Sequence, residues 1–93
     1  MTFTRVAVLG LGKVGLLAAH LLRDAGFVVV GLDVRWPQAS HSIDVREVDL
    51  ADARALSTQL ADVEAVLSCL PYRLNRQVAE VAHSLGIHYL DLT

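Results

Sequence analysis

The sequence predicts an α/β fold, a doubly wound parallel sheet of about five strands in the order 3-2-1-4-5 with helices on both faces. Three observations carry this. Apolar runs alternate with helical patterns along the whole chain, the signature of strand–helix–strand units. The runs are near-continuous in Val, Ile and Leu, as strands buried on both faces require, in a chain that is 54% hydrophobic. The first run passes through Gly10-Leu11-Gly12-Lys13-Val14-Gly15 directly into a helical pattern, a succession of strand, tight turn and helix. Right-handed crossovers then give the strand order and put a switch point between the first and fourth strands.

The first strand covers about Arg5–Leu9. A helix follows from about Gly12 to Ala25, with Val14, Leu17, Ala18, Leu21 and Leu22 expected inward, and Gly26 where a helix end favours a left-handed residue. The second strand is Phe27–Leu32, and Val34–Ser42, with Trp36-Pro37, reads as a loop. The third strand, about Ile43–Val48, carries Asp44 and Arg46 and reads as an edge. A helix at about Asp52–Leu60 has Asp49 and Asp52 near its positive end. Ala65–Cys69 forms the fourth strand, which Pro71 stops. The last helix is expected from Asn75, as N-cap, to Leu85, with Val78, Val81, Ala82 and Leu85 inward and Gly86 behind it. His88–Leu92 is the fifth strand.

In that setting the glycines have distinct tasks. Gly10 turns sharply off the strand, Gly12 lets a diphosphate approach the backbone, and Gly15 lets the helix pack on the first strand. The helix start offers unpaired N–H groups to an anion, and Lys13, between the glycines, adds a weak attraction. Asp33 ends the second strand 18 residues after Gly15, the place of a ribose-binding acid in a Rossmann-type dinucleotide site. Its carboxylate favours NAD over NADP, because a 2′-phosphate beside it meets like charge. Arg35, following Val34, leaves NADP open, since a guanidinium can bind that phosphate. Asp49-Leu50 either borders the adenine, Leu50 on a ring face, or Asp49 merely caps the next helix. Cys69-Leu70-Pro71-Tyr72 should pass over the middle of the cofactor. All of these fall at the carboxyl ends of the strands, where ligands of such sheets bind.

Composition narrows the rest. Ninety-three residues make one domain, 1–93. A net charge of −2 with no basic block argues against nucleic acid. No apolar run reaches the ~20 residues of a membrane span, and the start lacks a signal-peptide pattern. One cysteine, Cys69, fits a reducing compartment, so the chain is expected in the cytoplasm. His20, four residues before Asp24, and His83, one turn from Glu80, read as surface helix pairs, and His41 and His88 have no metal-spaced partners, so no metal site is expected. No nucleophile triad or acid–base pair is legible, and the catalytic residues are unknown.

Val66-Leu67-Ser68-Cys69-Leu70-Pro71-Tyr72, then Val78-Ala79-Glu80-Val81-Ala82, then Gly86-Ile87-His88-Tyr89-Leu90-Asp91-Leu92-Thr93, resembles the N-terminal NAD(P)-binding domain of the saccharopine dehydrogenase and lysine 6-dehydrogenase family. The resemblance spans essentially the whole chain. The glycine motif is common to many dehydrogenases, and the Pro-Tyr and Asp-x-Thr pair is more specific. It implies an oxidoreductase acting at an amino-acid C–N bond. Pro71 and Tyr72 would lie near the nicotinamide, and Asp91 and Thr93 at the approach to the substrate site. It also implies a second, substrate-binding domain absent from this chain, so an amino-acid substrate concerns only the longer parent. The chain is expected to be a fragment or an isolated cofactor module that binds without turnover. It is also expected to self-associate through the uncovered edge of the fifth strand. Two alternatives stand beside this reading. One is an NAD(H)-sensing regulatory module of a transport system; the other is an interaction domain that binds no nucleotide.

Overall fold

The computed structural model describes residues 4–34 and 43–92. The elements are β1 (Arg5–Leu9), α1 (Lys13–Asp24), β2 (Val28–Asp33), β3 (Asp44–Glu47), α2 (Ala53–Leu60), β4 (Ala65–Ser68), α3 (Tyr72–Leu85) and β5 (His88–Asp91). The five strands form one sheet in the order β3-β2-β1-β4-β5, every neighbouring pair parallel. The expected order is thus the observed one, with β3 at an edge.

Stepping from β1 to β2 runs one way across the sheet, and from β3 through β4 to β5 the other. Right-handed crossovers therefore put α1 on one face and α2 and α3 on the opposite face. Alternation along the strands supplies both layers. Ala7, Leu9, Val30, Leu32 and Val66 join Leu56, Leu60 and Val78 under α2 and α3. Val8, Val29 and Val45 join Leu11 and Ala19 under α1.

The inward face of α1 differs from the expected one. Val14, Leu17 and Leu21 are 59–60% exposed, whereas Gly15 and Ala19 are buried and Leu16 and Leu22 pack beside them. Close approach decides this: small residues let the helix sit tightly on the sheet, and the bulkier 14/17/21 stripe is rotated to the side. Beyond α1 the same face carries, among the described residues, an apolar groove of about 180 Å³ that includes Leu22, Phe27, Leu67 and Leu90.

α3 begins at Tyr72, three residues before the expected start, with Pro71 in the N-cap position and Asn75 buried inside the helix. Leu85, expected inward, is 37% exposed at the other end. Gly86 (φ 71°) ends the helix in the left-handed conformation. No helix among the described residues is long and apolar enough to cross a membrane.

Candidate nucleotide site

The turn after β1 is built by three glycines under different constraints. Gly10 has φ 87°, donates its N–H to the Leu32 carbonyl at 2.9 Å, and has the Cys69 carbonyl 3.0 Å from where a Cβ would stand. A Cβ on Gly15 would overlap the Gly10 carbonyl oxygen. Both glycines are demanded by the protein itself. Gly12 is not: its backbone (φ −73°, ψ −164°) suits any residue, and no atom lies within 4 Å of a Cβ built there. That Cβ would project into open space at the start of α1.

The same helix start is electrostatically bare. Gly12 supplies no side-chain cap, and the first turn holds no acidic residue. The first intrahelical bond is Leu16 N–H to Gly12 C=O, 2.9 Å, so the amides of Lys13, Val14 and Gly15 lie ahead of it. α2 is the contrast: Asp52 caps it by accepting from Arg54 N at 3.0 Å and Ala55 N at 3.2 Å. Donors, partial positive charge and an open cradle together fit a diphosphate.

Asp33 ends β2 beside this turn. Its Oδ2 accepts from Leu11 N and its Oδ1 from Val34 N, both at 2.6 Å. A carboxylate has about four lone-pair sites, so each oxygen retains capacity for a sugar hydroxyl. Val34 is exposed beyond it. Arg35 and His41 lie outside the described residues.

Two expectations after β3 are corrected. Asp49 does not cap α2; Asp52 does, while exposed Asp49 accepts from its own turn, Ala51 N, at 3.0 Å. Leu50 cannot lie against an adenine ring, because it is 2% exposed and belongs to the core under α2 and α3.

After β4, Cys69 is half-buried and burial pushes its thiol up from the ordinary range. Leu70 is buried, with Cδ2 3.0 Å from the Cβ position of Gly10, so it supports the glycine turn from within. Only Pro71 and Tyr72 of this stretch are exposed, Tyr72 as the first residue of α3. Sequence reasoning missed what holds the loop. The Ser68 hydroxyl donates to Asn75 Oδ1 at 2.6 Å, and these are the only buried polar side chains among the described residues. A lone Asn near a helix start reads as a cap, and nothing local reveals a partner seven residues back. On β5, Tyr89 Oη donates to Asp91 Oδ2 at 2.9 Å; burial first, then Asp91, pushes the phenol up to about 12. Asp91 and Tyr89 border a groove of about 530 Å³ with Tyr72, Arg73 and Arg76. Thr93 lies outside the described residues. Among the described residues no group of His, Cys, Asp and Glu could hold a metal.

The geometry thus joins Gly10–Gly15, Asp33 and Cys69–Tyr72 along one rim of the sheet. A family model for the saccharopine dehydrogenase NADP binding domain matches residues 6–93. No curated protein sequence matches the chain. Among solved structures, saccharopine dehydrogenase (L-Glu forming) from Saccharomyces cerevisiae superposes with a TM-score of 0.85 at 22% identity, over 95% of this chain and 21% of that one. A mutant uronate dehydrogenase from Agrobacterium tumefaciens, complexed with NAD, gives 0.75 at 18%, over 97% and 40%. UDP-N-acetylglucosamine 4-epimerase from Bacillus cereus gives 0.78 at 19%, over 92% and 36%. At these identities the likeness concerns the fold, and the chain spans between a fifth and two fifths of each of these structures.

Proposed function

The chain belongs to the family of saccharopine dehydrogenase NADP-binding domains, and from that premise we propose that it is the nicotinamide-dinucleotide domain of an oxidoreductase acting on an amino-acid C–N bond. One observation carries the reading: the protein's own packing leaves Gly12 free to bear a side chain, and the space that side chain would take lies before an uncapped helix start. The amides of Lys13, Val14 and Gly15 receive the diphosphate there. Asp33 accepts from the adenosine ribose hydroxyls, and exposed Asp49 borders the adenine. Pro71 and Tyr72 face the nicotinamide half. The dinucleotide, when bound, supplies the hydride acceptor or donor; this chain's residues bind and orient it. Substrate contacts and acid–base groups belong to a further domain, so the chain alone binds without turnover.

The Asp33 carboxylate selects NAD(H). Repulsion from a 2′-phosphate in a partly solvated site is about 1–2 kcal/mol, or about tenfold. Calorimetric titration of NAD, NADH, NADP and NADPH against the chain tests both statements. We expect the NAD pair to bind about tenfold tighter, and Gly12→Val to weaken every one at least about tenfold by filling the diphosphate position. Tighter NADP binding reverses the preference. Wild-type affinity in Gly12→Val overturns the site.

A further inference from the structure

We infer that Gly31, in the middle of β2, is a positioning residue for nucleotide binding: it is a notch that seats Leu11 and so holds the glycine turn against Asp33. The inference rests on the dinucleotide reading above. Val29, Gly31 and Asp33 share the α1 face of β2. A Cβ built on Gly31 would stand 2.9 Å from Leu11 Cδ1 and 3.0 Å from Cδ2, so the isobutyl group occupies the space a side chain would need. Leu11 is 5% exposed and confined by the core under α1, which leaves it little room to yield. Its backbone N–H is the donor to Asp33 Oδ2 at 2.6 Å. The preceding residue, Gly10, donates to Leu32 O at 2.9 Å. Residues 10 and 11 are therefore pinned to residues 31, 32 and 33 by one packed side chain and two hydrogen bonds. A methyl at Gly31 lifts Leu11, and lifting Leu11 draws its N–H away from Asp33.

The test is dinucleotide titration of the wild-type chain, Gly31→Ala, Leu11→Ala and the double variant, with the ¹H–¹⁵N shift of the Leu11 amide followed in the variants that keep Leu11. We expect Gly31→Ala to bind NADH about tenfold more weakly, the loss of a hydrogen bond to a charged acceptor, and its Leu11 amide proton to move upfield. In the Leu11→Ala background the Gly31 change should cost nothing further, because the side chain it displaces is gone. A role in packing alone predicts a lowered melting temperature with unchanged affinity and an unmoved amide. That result, or additive losses in the double variant, overturns the inference. Should Gly31→Ala not fold, Leu11→Ala against the double variant decides it. If the wild-type chain binds no dinucleotide, the reading of the site falls and this inference with it.

Discussion

Two glycines three residues apart, Gly12 and Gly15, answer to different demands, and the difference can be measured. At Gly15 the obstruction is the Gly10 carbonyl, which is backbone and cannot rotate aside. Gly15→Ala should therefore destabilise the fold by about 3 kcal/mol or more, the upper range for overpacking. Gly12→Val should melt within a few degrees of the wild type. Thermal melts of the two variants, without ligand, check the contrast. A Gly15→Ala chain as stable as Gly12→Val would remove the tight contact of α1 with the glycine turn. The residue types of the fingerprint were legible because each glycine answers to a local event. Leu50 was misplaced because exposure is a property of the tertiary structure: a leucine two residues after a strand can face a ligand or a core, and α2 and α3 close over this one.

Secondary elements are fastened to each other at the amino ends of the strands as well as at the carboxyl ends. Glu64, just ahead of β4, accepts from Thr4 N at 2.9 Å and Arg5 N at 3.0 Å, and its own carbonyl accepts from His88 N at the start of β5. Those backbone donors hold the Glu64 carboxyl below its ordinary value. A depressed carboxyl contributes stability that is fully present above its unfolded value, near 4.5, and that is lost as pH falls through the folded one. Denaturant melts should show that loss in the wild type on acidification, and a Glu64→Gln chain should lose less over the same interval. Equal acid sensitivity would remove Glu64 from this role. Element order was readable because hydrophobic runs and turn residues are local signals. The face of α1 was not, since buried Gly15 and Ala19 carry little hydrophobicity and mark the contact by their smallness. The start of α3 was missed for a related reason: Asn75 has the side chain of a cap but spends it on Ser68.

At the scale of the molecule, the apolar side chains exposed on α1 and β5 bear on how copies should behave. Val14, Leu17 and Leu21 on α1 and Leu90 on β5 are each more than half exposed. β5 is also an edge of the sheet among the described residues. We propose that the chain self-associates through that edge and the apolar side chains around it. Light scattering over a concentration series should show a rising mean mass, and Leu90→Lys should reduce it. A constant monomer at the highest concentration would dismiss the proposal. A different division runs through the whole architecture. Because every strand points the same way, the candidate site residues Gly10–Gly15, Asp33 and Tyr72 lie at one rim, while Glu64 and the Arg5–Asp62 pair lie at the other. Asp33 is tied to the glycine turn as well as facing the ligand side, so exchanging it to retune the nucleotide would also loosen that rim, while the clasps at the opposite rim stay untouched.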